Sequence, residues 1–356
     1  MEMKTETKTG KTMKVSIMTD IGKLEFTTRE VPVPKAHEAL VRIEYVGLCG
    51  SDIHFFKEGR IGNVVVNPPL VLGHEPGGIV EAVGEAVTHL KPGDAVALEP
   101  GTPCRSCARC MEGKYNLCPD VVFFACPPDD GAFCEYIAHD AALCHKLPPN
   151  VSTLEGAMTE PLAVGLFAAH QVGAKLGKTA AVLGCGCIGL CSMMALRSMG
   201  VATVYMVDFL QNRLDKAAQL GATDVIHCKD QDLTKRIMEL TQNEGVDIVI
   251  DAASGEKGRL NEAVDIARPG GKVALVGYTS GGKADFPLTN AIRKEIAFET
   301  VFRYRHMYPL AIEAAASGKV DLKGIVTHYF DFDELPTAIE RSINEKAEIV
   351  KAVIKI

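Results

Sequence analysis

The stretch TAAVLGCGCIGLCSMMALRSMG, residues 179–200, decides the fold. Four of its first five residues are apolar, and the run is short enough for one buried strand. Gly184, Gly186 and Gly189 then follow at G-x-G-x-x-G spacing, with Ile188 between the last two, and the remainder has the length and composition of a helix. Glycine spacing alone is weak, but a strand before it and a helix after it describe a turn on which a dinucleotide pyrophosphate can rest. An acid completes the pattern. Asp208 ends TVYMVD, 19 residues beyond Gly189, where a carboxylate accepts hydrogen bonds from the adenosine ribose hydroxyls. A 2′-phosphate would meet like charge there, which favours NAD over NADP. Arg213, five residues on, is the group that could welcome such a phosphate.

Outward from this turn, apolar segments at 179–183, 203–208, 224–227, 246–252, 272–277 and 296–301 alternate with helical ones. That alternation predicts a doubly wound parallel sheet, so the chain is of the α/β class. Gly277 and Tyr278, after the strand KVALVG, are placed to face the nicotinamide, though a plain turn at a strand end explains them nearly as well. The first 150 residues have another texture, of short strands separated by glycine and proline, with period-two alternation in Leu40–Val46 and Ile79–Val83. After Phe302 come a helix over Pro309–Ser317, a strand over Ile325–Phe330, a second helix and a final strand over Ile349–Ile356. The expected organisation is therefore a mostly β catalytic domain over 1–160, a nucleotide domain over 161–302, and a return to the first domain over 303–356.

At 356 residues the chain has room for two domains at roughly 150 residues each. A net charge of −7 and the lack of a basic run argue against nucleic acid. No apolar stretch reaches the roughly 18 residues that cross a bilayer, and the polar start, MEMKTETKTGKTMK, lacks a signal-peptide core. A soluble, cytoplasmic protein acting on a small molecule is expected. Seven of the twelve cysteines (Cys126, Cys134, Cys144, Cys185, Cys187, Cys191 and Cys228) read as small buried hydrophobes kept reduced.

The other five suit metal. Cys104-x2-Cys107-x2-Cys110-x7-Cys118 puts four thiolates on one loop, within reach of one tetrahedral zinc. With four sulfurs no position stays open for substrate, so this zinc is structural. Cys49, His74, Glu75 and Glu160 form a dispersed second set. One thiolate, one imidazole and one or two carboxylates leave room for a substrate oxygen, as a catalytic zinc requires.

The segment GHEPGGIVEAVGEAV, residues 73–87, resembles the zinc alcohol dehydrogenase signature of the medium-chain dehydrogenase/reductase superfamily. GLCGSD at 47–52, the four-cysteine lobe and the glycine turn extend the likeness over essentially the whole chain. Within the superfamily, GRIGNVVVNPPLVLGHE, YNLCPD, FFACPPDDGAFCEYI, LEGAMTEPLAVG and VFRY resemble the sorbitol and xylitol (polyol) dehydrogenase group. The resemblance implies a GroES-like catalytic domain beside a Rossmann domain, NAD and two zinc ions per chain. It implies that Cys49, His74 and Glu75 are zinc ligands, with Glu160, which stands where alcohol dehydrogenases have a cysteine, a ligand or a partner of the zinc-bound water. Ser51 and His54 match the superfamily's proton relay, with Glu160 as the alternative proton acceptor. Arg303 and Tyr304 of VFRY resemble residues that touch polyol hydroxyls, and Phe55, Phe56, Phe123 and Phe124 would wall the substrate. Phe55 stands where many of these enzymes have tyrosine. A homotetramer or homodimer, assembled partly through edges of the nucleotide sheet, is also implied. The implied activity is that of a polyol 2-dehydrogenase, of the sorbitol dehydrogenase (L-iditol 2-dehydrogenase) or D-xylulose reductase type. The rival readings are a sibling acting on threonine or a simple secondary alcohol, and a non-catalytic NAD-binding protein.

Overall fold

The computed structural model describes residues 10–253, 259–277 and 283–356, and the chain divides into two compact units. The first runs to Glu160 and takes back His328–Glu345 and Lys351–Ile356; the second comprises Pro161–Thr327 and Lys346–Val350.

The first unit is built on a seven-stranded sheet whose path runs Cys144–Lys146, Ala95–Leu98, Glu75–Val83, Glu38–Leu48, Ala352–Lys355 and His328–Asp331, with Tyr136–Asp140 also paired to Glu38–Leu48. Glu38–Leu48 is its spine. Val41 and Ile43 are buried, while Arg42 and Glu44 form an ion pair of 3.0 Å, as alternation along a half-buried strand requires, and a register shift between Ile43 and Tyr45 lets Val46 be buried in turn. Its end sets the register that matters: Gly47 lies opposite Glu75 on one side and opposite Val353 on the other. A short helix, Thr153–Ala157, is started by a Ser152/Glu155 capping box and packs on this sheet at Gly77. A Cβ on Gly77 would overlap the Thr153 carbonyl, so only glycine permits that approach.

In the second unit six parallel strands run in the order Asp224–His227, Thr203–Asp208, Thr179–Leu183, Val246–Asp251, Ala267–Leu275 and Ala297–Thr300. Strand order reverses between Thr179–Leu183 and its neighbour Val246–Asp251, the switch point outside whose carboxyl ends such sheets bind ligands. Val182, Val207, Val249 and Val273 are wholly buried, as strands covered on both faces of a parallel sheet require.

The chain returns to the first unit at His328, not at Arg303 as the change of texture after Phe302 suggests. The helix Tyr308–Ala316 and its flanks stay with the nucleotide sheet's unit: the Arg305 guanidinium lies 4.7 Å from the Phe167 ring centre, and Gly324 is packed against Leu220. Of the strand expected over Ile325–Phe330 the structure forms His328–Asp331, while Ile325 instead ends a helical turn, Leu322–Ile325, capped by Asp321 accepting from the Gly324 N–H at 2.8 Å. Lys346–Val350 also belongs to the second unit, where the Lys346 carbonyl accepts from Arg213 at 2.6 Å. Among the described residues no helix is long and apolar enough to cross a membrane.

Candidate active site and metal centres

Two clusters of metal-binding side chains occur among the described residues, Cys104, Cys107, Cys110 and Cys118, and Cys49, His74 and Glu75; within each, one ligand atom per residue lies within 4.8 Å of all the others. The first is made by one loop. Backbone N–H groups point at its sulfurs, from Cys104 to Cys118 Sγ at 3.3 Å and from Cys107 to Cys104 Sγ at 3.3 Å. The N–H groups of Ser106 and Cys107 draw the Cys104 thiol down to about 6, so this sulfur is readily a thiolate. Four converging sulfurs fit a closed tetrahedral zinc. The lobe is tied to the sheet through Glu99, a buried carboxylate that accepts from the Tyr115 hydroxyl at 2.7 Å and lies 2.9 Å from His145 Nε2.

The second cluster is gathered from two separate segments. Cys49 caps the helix Gly50–Glu58, and Glu75 opens the strand Glu75–Val83 with His74 just before it. Beneath them lies Asp52, fully buried, whose Oδ2 accepts the Cys49 N–H at 3.0 Å and whose Oδ1 accepts the Gly73 N–H at 2.9 Å and stands 3.5 Å from His74 Nδ1. Burial alone would raise the Asp52 carboxyl. The charge of His74, its hydrogen bond and the two backbone donors outweigh that and hold it below the usual carboxylate range. Burial likewise depresses His74, but Asp52 and the Cys49 sulfur carry it well above its ordinary value. With Asp52 on Nδ1, the nitrogen left for a metal is Nε2, the carboxylate–histidine arrangement usual behind zinc. Sulfur, nitrogen and oxygen donors with a position to spare fit a catalytic zinc.

The other expected site residues are distributed as follows. Glu160, buried in the first turn of Thr159–Gln171, stands outside the group of mutually close ligands. Ser51 is half-buried at the start of its helix, and His54 is exposed, with Nδ1 3.3 Å from Glu58 Oε1. The Phe123 ring centre lies 6.0 Å from that of His74, and Phe124 lies 4.7 Å from His139, whereas Phe55 is buried in the core of the unit. Arg303 and Tyr304 belong to the second unit. Arg303 has φ +55° and lies 4.9 Å over the Phe302 ring, and Tyr304 is buried against Tyr308.

In that unit Gly184 has φ +95°, and a Cβ on Gly189 would overlap the Gly184 carbonyl, so the two glycines close the turn onto the helix Cys187–Ser198, in which Ile188 sits half-buried. Gly186 caps that helix, and a Cβ there would meet only the Arg213 guanidinium, at 3.7 Å, leaving the backbone open to approach. Asp208 braces the turn: Oδ2 accepts the Cys185 N–H at 2.7 Å, and Oδ1 those of Phe209 and Leu210 at 2.7 and 3.0 Å. Oδ1 is filled by its two donors, but Oδ2 accepts one and keeps a second lone pair, so ribose recognition remains open there. The Gly277 N–H donates to the Asp251 carbonyl at 3.0 Å, and Tyr278 lies outside the described residues.

Residues 35–149 match the alcohol dehydrogenase GroES-like domain and residues 187–317 the zinc-binding dehydrogenase domain. The chain is 44% identical over 337 residues to the uncharacterized zinc-type alcohol dehydrogenase-like protein YdjJ of Escherichia coli, covering 94% of this chain and 96% of that one. The chain belongs to the zinc-dependent medium-chain dehydrogenases. The sorbitol dehydrogenase of Bacillus subtilis is 39% identical over 342 residues, covering 96% of this chain and 97% of the relative. A solved Escherichia coli oxidoreductase of unknown specificity, described as involved in membrane biogenesis, superposes with a TM-score of 0.93 at 42% identity, covering 97% of this chain and 99% of that one.

For this medium-chain dehydrogenase, two residues of the metal centre are missing from the expected set. Asp52 was open to detection, because an acid three residues after a capping Cys49 is the capping-box spacing. Lys351 was not. It is buried at 3% exposure, its ammonium pairs with the Glu75 carboxylate and donates to the Leu48 carbonyl at 3.1 Å, and only the sheet brings it there.

Proposed function

We propose that this dehydrogenase is a zinc- and NAD-dependent polyol 2-dehydrogenase, reversibly oxidising a sugar alcohol such as sorbitol or xylitol to its 2-ketose. The observation that carries this is the mixed Cys49–His74–Glu75 donor set in a chain that matches a sorbitol dehydrogenase along nearly its whole length. When bound, zinc supplies Lewis acidity toward a hydroxyl and NAD the hydride acceptor. The residues of the chain do the rest. Cys49, His74 and Glu75 would hold the ion, and Asp52 fixes two of them from below. Ser51 and His54 would carry the released proton outward, since His54 is exposed and paired with Glu58. Glu160, a buried carboxylate, is the second candidate for that proton. Phe123 beside His74 would exclude water from one side of the reacting carbon, and Arg303 and Tyr304 are the candidates for polyol contacts that the resemblance of VFRY supplies.

NAD is preferred to NADP in this reading. The Asp208 carboxylate repels a 2′-phosphate, and Arg213 already donates to the Lys346 carbonyl. Self-association through the edge strand Ala297–Thr300 is supported by the exposure of Phe286, Leu288 and Ile292 near it, and a reducing, cytoplasmic setting by twelve unbridged cysteines. The test is NADH formation by zinc-replete protein across sorbitol, xylitol, ribitol, galactitol, threonine, butane-2,3-diol and ethanol, with NADP in parallel. Turnover confined to polyols and NAD is expected. Turnover only with threonine or simple alcohols, or a preference for NADP, would overturn the reading.

A further inference from the structure

We propose that Lys351 is a positioning residue of the catalytic metal centre, which shares the Glu75 carboxylate with the metal and so makes Glu75 a labile ligand. This rests on the reading of Cys49, His74 and Glu75 as a zinc site.

The placement is specific. Lys351 directly precedes the strand Ala352–Lys355, which pairs with Glu38–Leu48 so that Ala352 faces Leu48 and Val353 faces Gly47. Gly47 in turn faces Glu75 across the other edge of the same strand. Glu75 and Lys351, at 1% and 3% exposure, therefore meet over Gly47. A Cβ on Gly47 would overlap Glu75 Oε2 and come within 3.1 Å of Lys351 Cε, so the missing side chain is the space the ion pair occupies. Lys351 also donates to the carbonyl of Leu48, the residue before Cys49. One ammonium group thus touches both segments that supply metal ligands.

Charge explains the consequence. The Cys49 thiolate and the Asp52 and Glu75 carboxylates bring three negative charges to a divalent cation, and Lys351 cancels the one left over. Burial makes each uncompensated charge costly. With Lys351 neutralised, the metal is the countercharge that remains close to the Glu75 carboxylate, which then binds it harder. With Lys351 present, the carboxylate is divided between two cations.

The experiment is zinc transfer from the two-zinc protein to the chromophoric chelator 4-(2-pyridylazo)resorcinol, with the slowly released four-cysteine zinc as internal reference. Lys351→Met should slow the fast phase about ten-fold, equivalent to about 1.4 kcal/mol on the release barrier, and leave the slow phase unchanged. Lys351→Gln retains an N–H donor for the Leu48 carbonyl without the charge. It should behave likewise, and it decides the matter if Lys351→Met does not fold. A purely structural lysine predicts the opposite sign, since loosening the site speeds release; an unchanged or faster fast phase in a two-zinc variant overturns the proposal alone. A wild-type protein that holds only the four-cysteine zinc overturns the metal-centre reading and this proposal with it.

Discussion

The two metal clusters are built by opposite means. Cys104, Cys107, Cys110 and Cys118 lie within one loop, their sulfurs hydrogen-bonded by that loop's own backbone and tied to the sheet by Tyr115 on Glu99. Cys49, His74 and Glu75 come from a helix cap and the start of a distant strand, and are held by two buried charges, Asp52 and Lys351. The first arrangement closes the coordination sphere with sulfur and needs nothing from outside. The second mixes donors, leaves a position open, and depends on the surrounding fold for both geometry and charge. A closed site can be stable in itself, whereas a site that works on a substrate has to be supported.

Three substitutions press on that contrast. The largest effect is expected for Cys49→Ala. Removing the one thiolate from the mixed site should lower kcat/KM by at least about a thousand-fold, equivalent to about 4 kcal/mol, with the four-cysteine zinc retained. Turnover and zinc content measured together check this, and loss of both metals would mean that the clusters are not independent. Next is Asp52→Asn, which keeps the shape but removes the charge behind His74. Competition against a calibrated chelator should show the exchangeable zinc held about 10- to 100-fold more weakly. An unaltered affinity would reduce Asp52 to a helix cap. The smallest effect on chemistry should come from Cys107→Ala. It should lose one zinc per chain and lower the Tm by at least about 5 °C, at about 2–4 °C per kcal/mol, while turnover of the folded fraction stays within a few-fold of wild type. Normal thermal stability with normal zinc content would break the contrast from the other side.

Much of this protein is legible in the order of its residues, wherever the cause of structure is local. The strands Thr179–Leu183 and Thr203–Asp208 fall where the apolar runs place them, because the central strands of a parallel sheet are buried on both faces. The glycine turn and the four-cysteine loop are equally local, each carried by spacing within a few residues. The resemblance of GHEPGG and GLCGSD to known signatures singled out Cys49, His74 and Glu75 although they are far apart. The boundary at Arg303 was misplaced. A helix after the last nucleotide strand looks the same in sequence whichever unit it packs on, and contacts such as Arg305 over Phe167 decide it.

By itself, then, the sequence determined the parallel sheet, the glycine turn and the four-cysteine loop, since periodicity and spacing express local geometry directly, and its signatures carried the resemblance to the zinc dehydrogenase family. The tertiary structure alone decided how charge is arranged around the open site. The meeting of Glu75 with Lys351 over Gly47 depends on the registers of two strand pairings, and no local pattern records which residues of distant segments a sheet will set side by side.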